Sequence, residues 1–454
     1  MLSIPVTITW FLFLITILWA FQRVTSWFTQ LNIFSLFLVF FIMRHGLTVP
    51  FDHTVNKWYA GIDLSPAAYR RFYISLVLMW VCLLVGAWYG RIAFGPARID
   101  PKKFQQTMRQ PVLPAGINWL FFVAVLVSAA FVLTFNMQFK ASPWKLLTGG
   151  MTSAEYRAMR DSYGVATHYS ASFGNHIASI VRFGLFPSFI CTLYFLSSRG
   201  WPWRLMFLFM LGLGLLVGFM SGQKGASVFL LISLGIAYYY NTGRLKIQLR
   251  SWRIWLLGVG GVAVVSLLYG VQYPGKSFSW ALHATVYRLT SESDRSLQLY
   301  FQIYPDIQPF LHGRSSGIID SILGLNMPVD QTPERFIPTY YLGPDYLNTW
   351  NGAFIGVAWA DFGYAGVVVE SLFVGLLLYA YAYWFSRTRK TALVMGTQVG
   401  LIMAATRLSE VALTANLLSF GLLSSFLVYW VVRSRRKGFK PEAQLPYANP
   451  SSCT

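Results

Sequence analysis

Residues 364–385 read YAGVVVESLFVGLLLYAYAYWF. As a helix, this apolar run is long enough to cross ~30 Å of hydrocarbon, which takes about 20 residues. Similar runs recur along the 454 residues, near 2–21, 28–44, 72–90, 115–135, 176–197, 205–221, 226–240, 254–272, 391–405 and 417–432, making eleven in all. The alternating ten-residue pattern of a membrane β-barrel is absent. Composition agrees: 55% of the residues are hydrophobic, 17% aromatic and only 11% charged, outside the range of soluble domains. The expectation is an all-α polytopic membrane protein with about eleven transmembrane helices. The first run lacks the small-residue cleavage pattern of a signal peptide and reads as a retained helix.

The net charge of +20 then has a topological explanation. The tail beginning RSRRKGFK belongs in the cytoplasm, because short cytoplasmic loops collect Lys and Arg. Counting back from it makes 23–27, 91–114, 198–204, 241–253, 386–390 and 433–454 cytoplasmic, with the N-terminus outside. Those pieces hold 20 of the 36 Lys and Arg and two of the 16 acids, Asp100 and Glu442. Basic anchors thus account for the charge, and no nucleic-acid partner is expected. Cys82, Cys191 and Cys453 allow neither a disulfide framework nor a zinc spacing.

The organisation that follows has four parts. Residues 1–272 carry spans 1–8, with external loops 45–71 and 136–175. Residues 273–363 form a large external loop, 364–432 carry spans 9–11, and 433–454 are a basic cytoplasmic tail. A loop as long as 273–363 is functional or disordered; its scattered Phe, Tyr and Ile residues point to folding. The stretch 280–303 reads as a helix stopped by Pro305. The apolar piece 352–362 is too short to span and reads as a re-entrant or interfacial lead into the next helix.

External positive charge has no anchoring role, and here it is mostly arginine. Arginine offers phosphate a planar fork of donors and keeps its charge, so external arginines near a membrane suit a phosphate or diphosphate ligand. Solvated charges paired with the external acids are the alternative. Arg182 lies inside an apolar run, Lys224 sits in a four-residue turn between spans, and Arg407 and Glu410 occupy a short break between helices. Ionisable groups so close to hydrocarbon are costly and commonly functional; structural ion pairing or snorkelling would also place them there. In TVYRLTSESDRSLQLYF, residues 285–301, helical spacing puts Arg288, Glu292 and Arg295 on one face. That face reads as an anion site with a carboxylate able to act as a base, or as an i,i+4 ladder of salt bridges.

Other chemistry leaves no trace. There is no P-loop, no GxSxG and no HExxH. The DFG at 361–363 lacks the companions that a kinase needs. All six histidines, His312 among them, fall on the external side or at its margin, so chemistry is expected there.

The turn SGQKGASVF (221–229), the helix VYRLTSESDRSLQLYFQIY (286–304) and the pair Arg407…Glu410 before the last span resemble the Wzy-type oligosaccharide repeat-unit polymerases. The likeness is greatest to their enterobacterial-common-antigen branch. Lys224 stands where that family has an arginine, and Arg314…Gly324 approximates a further Arg–Gly spacing. The resemblance covers most of the chain. It implies a GT-C-type glycosyltransferase fold in the bacterial inner membrane, with the large loop periplasmic. It also implies undecaprenyl-diphosphate-linked oligosaccharide as substrate, membrane lipids and a chain-length regulator as partners, and no cofactor or metal. On that basis Lys224, Arg288, Arg295 and Arg407 are expected to hold the diphosphate, and Glu292, Asp294 or His312 to act as base. Arg157, Arg160, Arg182, Arg314 and Glu410 are expected to contact substrate. A lipid-linked glycan ligase shares the donor chemistry. A transporter or flippase would be expected to show inverted repeats, and none is visible.

Overall fold

The computed structural model describes residues 4–47, 64–109, 119–137, 180–220, 224–245, 276–290, 292–315, 331–343 and 349–432, with a few short pieces between them. The regular structure among these residues is helical. In chain order the first helices are α1 (Ile4–Thr25), α2 (Ile33–His45), α3 (Pro66–Phe94), α4 (Pro101–Arg109) and α5 (Trp119–Met137). A π-helical turn, Ile180–Leu185, runs into α6 (Phe186–Leu196), followed by α7 (Trp201–Met220) and α8 (Lys224–Asn241). The second half holds α9 (Phe278–Thr290), α10 (Glu292–Ile303), α11 (Pro333–Leu342), α12 (Ala353–Arg387), α13 (Ala392–Arg407), α14 (Leu413–Leu418) and α15 (Ser424–Val432). Three helices, Val6–Thr25, Pro66–Phe94 and Ala353–Arg387, are long and apolar enough to cross a membrane, and several shorter apolar helices pack with them. The chain is a helical membrane protein.

Sequence explains the helix starts. Ser65 accepts a hydrogen bond from the Ala68 N–H and Pro66 opens α3, an arrangement that satisfies orphan donors where proline lacks one anyway. Asn32 and Ser35 form a reciprocal cap on α2. Every residue of α13 from Ala392 to Thr406 is buried, as suits a helix apolar on all sides. It lies at the centre, packed on α6 and α2. The long helices α3 and α12 make the most extensive contact, and two glycines set its closeness. A Cβ on Gly86 would lie 2.1 Å from the Leu372 carbonyl oxygen, and one on Gly375 would lie 2.2 Å from that of Leu83. Small residues facing each other in this way let helix backbones approach within a membrane.

The two ends of the bundle differ. At one end Tyr240 donates to the Leu31 carbonyl (2.7 Å), Gln30 to that of Ile99 (2.7 Å) and Arg91 to that of Arg23 (2.6 Å). The short amphipathic α4 seals this end with Phe104 and Met108 inward and Lys102 and Lys103 outward. At the other end α10 lies across the starts of α3 and α12. The Gln302 carboxamide oxygen accepts from the Ser65 N–H (2.9 Å), Arg71 grips Asp306 through two bonds of 2.8 Å, and Tyr300 donates to the Trp350 carbonyl (2.9 Å).

Several expected boundaries change. The stretch expected as a helix over 280–303 is helical on both sides of Ser291, as α9 and α10, and Ser291 itself lies outside the described residues; the stop before Pro305 stands. The piece 352–362 is the start of α12, continuous with the following span across a kink at Gly363. There φ is +59°, a region that glycine occupies without steric cost. The last expected span, 417–432, is interrupted between Leu418 and Ser424. The interruption packs against the π turn: Ser425 donates to the Gly184 carbonyl (2.9 Å), and Gly421 lies against Gly184. Pro187 follows that turn and has no N–H to give the carbonyl four residues back, which favours the wider winding.

Candidate functional site

The site end of the bundle gathers charge from segments far apart in sequence. Arg407 closes α13, and Glu410 follows in the turn that leads to α14. Arg407 Nη1 donates to Glu410 Oε2 at 2.6 Å. Arg44, in the last turn of α2, reaches the other carboxylate oxygen, Glu410 Oε1, and its Nη1 donates to Ser409 Oγ at 3.1 Å. The three side chains are only 5%, 13% and 19% exposed for Arg44, Arg407 and Glu410. The Arg407 guanidinium is walled by rings: Phe229 at 3.8 Å, Phe183 at 4.9 Å and Phe420 at 5.5 Å. Cation–π contact of this kind holds the group in place without using its donors. Its Nη2 atom is buried and has no hydrogen-bond acceptor.

Burial works against the Glu410 charge, but the guanidinium groups of Arg44 and Arg407 and their hydrogen bonds outweigh it and hold the carboxyl at about 2. The carboxylate is therefore ionised at any ordinary pH. Among the described residues, two guanidinium groups here meet one carboxylate in a nearly dry setting. Charges there interact strongly, because little water screens them.

Next to this cluster α10 is fastened to α2. His45 is fully buried, with Nδ1 3.1 Å from Asp294 Oδ1 and Nε2 2.9 Å from the Ser409 carbonyl oxygen. Gln298 approaches the second Asp294 oxygen at 3.4 Å. Arg295 is also buried and donates through Nη2 to the Ile62 carbonyl, while its Nε and Nη1 lack acceptors. His312 and Arg314 occupy a separate turn, 311–315, built onto Asp361. The Asp361 Oδ1 atom accepts from the Gly313 and Ser315 N–H groups at 3.1 and 3.2 Å, and the His312 N–H meets the Asp361 carbonyl at 3.0 Å. The His312 ring lies 6.3 Å from that of Phe362.

Of the residues singled out in the sequence, Arg407 and Glu410 are brought together, and Asp294 and Arg295 are buried on α10 nearby. Lys224 opens α8, whose Phe229 stacks on Arg407. The side chains of Lys224, Arg182, Arg288 and Glu292 lie outside the described residues, as do Arg157 and Arg160 altogether. The shared face expected for Arg288, Glu292 and Arg295 is thus described only at Arg295. Among the described residues no group of three or more His, Cys, Asp or Glu comes together as metal ligands would.

Three residues of this end escaped the sequence reading. Arg44 counted as one external arginine among many, and His45 as a loop histidine. Their signal was the pair RH closing an apolar helix before Gly46. The third is Glu334 on α11, whose backbone carbonyl accepts from the Trp350 N–H at 2.8 Å. Burial raises its carboxyl; its own backbone N–H opposes this and Asp361 adds to it, and the result is about 7. A carboxyl raised in the folded state favours folding below its unfolded value of 4.5, and that advantage disappears as pH climbs through about 7. The melting temperature is therefore expected to be lower at pH 8 than at pH 5. Glu334→Gln narrows that difference; equal pH dependence in both proteins would refute the assignment.

A bundle of apolar helices, three of them long enough to cross a membrane, with two arginines and a carboxylate buried together at one end, is the architecture of a helical membrane protein. Residues 169–408, more than half of the 454, match the family described as “Putative O-antigen polymerase”, and the chain belongs to that family. No curated protein and no solved structure matches the chain. Membership makes it a glycan polymerase of polysaccharide biosynthesis, a transferase acting in the membrane on lipid-linked oligosaccharide units.

Proposed function

We propose that the protein transfers a growing glycan from undecaprenyl diphosphate to the non-reducing end of a lipid-linked repeat unit, on the periplasmic face of the bacterial inner membrane. The observation that carries this reading is the buried Arg407 donor that lacks an acceptor, held in a cluster where Arg44 and Arg407 meet the Glu410 carboxylate. In the reaction the acceptor hydroxyl oxygen bonds to the anomeric carbon. The bond from that carbon to the lipid diphosphate breaks, and the diphosphate leaves with the electron pair. Fixed guanidinium groups stabilise charge that develops on a leaving group without reorganising. Arg407 is assigned that role, with Lys224, Arg288 and Arg295 as further diphosphate contacts and Arg44 holding the carboxylate between them. No metal is required for this.

The hydroxyl proton goes to a carboxylate. Glu292, at the first turn of α10, is the favoured base, since Asp294 is engaged with His45 and His312 belongs to the Asp361-anchored turn. Arg157, Arg160, Arg182 and Arg314 are assigned to the sugar and phosphate groups beyond the reacting carbon. The wider frame is a GT-C-type fold of eleven spans, with the N-terminus periplasmic, the C-terminus cytoplasmic and a chain-length regulator as partner.

The test is direct. Purified protein in a bilayer receives a synthetic undecaprenyl-diphosphate-linked repeat unit, and the products are separated by length. A ladder is expected. A single transfer product would replace polymerisation by ligation, and folded protein that leaves the cognate unit unchanged would overturn the reading.

A further inference from the structure

The contact between His45 and Asp294 has a property that neither residue has alone. The Ser409 oxygen facing Nε2 at 2.9 Å is a carbonyl, and a carbonyl only accepts. The Nε2 atom must therefore carry a hydrogen. On the other side of the ring, Nδ1 faces a carboxyl oxygen at 3.1 Å. That contact is a hydrogen bond only if a second proton lies in it, on the nitrogen beside an ionised carboxylate or on the oxygen beside a neutral ring. With neither, two lone pairs oppose each other in a fully buried contact, an arrangement that costs the desolvation of both groups. The pair is complete only while it holds that proton.

Two of the three segments joined here build the charged cluster, and the third carries Arg295. His45 follows Arg44 on α2, Ser409 lies between Arg407 and Glu410, and Asp294 precedes Arg295 on α10. The Phe41 ring packs on the imidazole at 4.9 Å and closes it from α2 itself. Among the described residues, charged and titratable groups at this end come from the helices most in contact with α2, which are α9, α10, α12 and α13. Arg295 of α10 turns to the Ile62 carbonyl, and Arg407 and Glu410 engage each other and Arg44. Asp361 of α12 is taken up by Ser315, and α9 carries the exposed His283 together with Arg288.

We infer that His45 and Asp294 form a proton-holding clasp, which positions α10 and its Arg295 against the Arg44–Glu410–Arg407 cluster and releases it when the shared proton is lost. His45 is on this view a positioning residue. The direction follows from the proton: the clasp is closed at lower pH and opens as pH rises. Asp294→Asn supplies an amide N–H to a neutral ring whose Nε2–H stays on Ser409. It satisfies the same geometry with nothing to titrate.

The experiment has two arms. The first follows amide hydrogen exchange in residues 292–303 between pH 6 and 9, corrected for the intrinsic rate, with no substrate present. In the unaltered protein, protection of α10 is expected to fall about tenfold per pH unit over the range in which the closed clasp keeps the proton that the open form has given up, as linkage to one proton requires. In Asp294→Asn, protection is expected to be independent of pH, and in His45→Ala low throughout. Protection that does not change with pH in the unaltered protein, or the same change in Asp294→Asn, overturns the clasp.

The second arm measures glycan ladders over the same pH range and rests on the polymerase reading. Output should fall with protection in the unaltered protein and stay level in Asp294→Asn. If protection behaves as expected while no preparation makes a ladder, the polymerase reading fails and the clasp stands. If ladders form in the unaltered protein but their output does not follow protection, the positioning role fails.

Discussion

Glu410→Ala is expected to destabilise the fold by about 3–5 kcal/mol, the range measured when one partner of a buried ion pair is removed. The carboxylate bridges Arg44 and Arg407, which are 5% and 13% exposed in their side chains. Without it two guanidinium groups share a nearly dry space, and neither can be neutralised, since arginine keeps its proton. Glu410→Gln keeps the shape and loses the charge, so it should fall between the alanine variant and the unaltered protein. Thermal unfolding in detergent measures this, and an unchanged midpoint in Glu410→Ala would refute the bridging role. The same bond has a pH signature. A carboxyl held at about 2 contributes stability above its unfolded value of 4.5 and loses it only as pH falls towards 2. The cluster therefore stays ionised throughout the range in which the enzyme can be assayed.

Arg407→Ala is expected to do the reverse, with a large loss of activity and a modest loss of stability. Removing it leaves Glu410 still bonded to Arg44, so the carboxylate keeps a partner. What disappears is the buried Arg407 donor, which the proposed mechanism directs at the leaving group. Loss of one such donor typically lowers the rate by about 10²–10³, and polymer output should fall by that factor. Arg407→Lys should recover only part of it. An ammonium group can neither lie flat among the Phe183, Phe229 and Phe420 rings nor bond to Glu410 and an anion in one plane. Ladder intensity at matched protein level is the measurement. Full output from Arg407→Ala in a normally folding protein would move the reacting centre elsewhere. The contrast between the two variants is itself informative, since a purely structural triad would lose stability whichever member was removed.

Sequence reasoning reached this site unevenly, for physical reasons. Spans are written in continuous apolar runs, so α3 and α12 were visible, and so was the Pro305 stop after α10. Arg407 and Glu410 were paired from sequence because they lie three positions apart, within reach of local geometry. Arg44 and His45 were not placed, since their partners Ser409 and Asp294 lie 365 and 249 positions away. No local pattern encodes contacts at such separations. The interruptions at Ile180–Leu185 and after Leu418 were hidden for a related reason. Each of the two segments is apolar enough to be a plain helix, and only their mutual packing at Gly184 and Gly421 shows otherwise. The kink at Gly363 depends likewise on what surrounds it: a Cβ there would lie 3.1 Å from the Phe310 ring.

That kink also makes α12 a measuring stick. Gly363 marks the level of the turn that carries His312 and Arg314, and Gly375 marks the level where the helix locks into α3. Twelve residues separate them, about 18 Å at 1.5 Å per residue. Because Gly375 and Gly86 fit only in one register, the interval fixes both the height of the turn above the lock and its compass direction. One residue inserted between them would lift the turn by about 1.5 Å and swing it by about 100°, while leaving hydropathy almost untouched. The length of this interval, more than the identity of the apolar residues filling it, is therefore the quantity that selection can least afford to change.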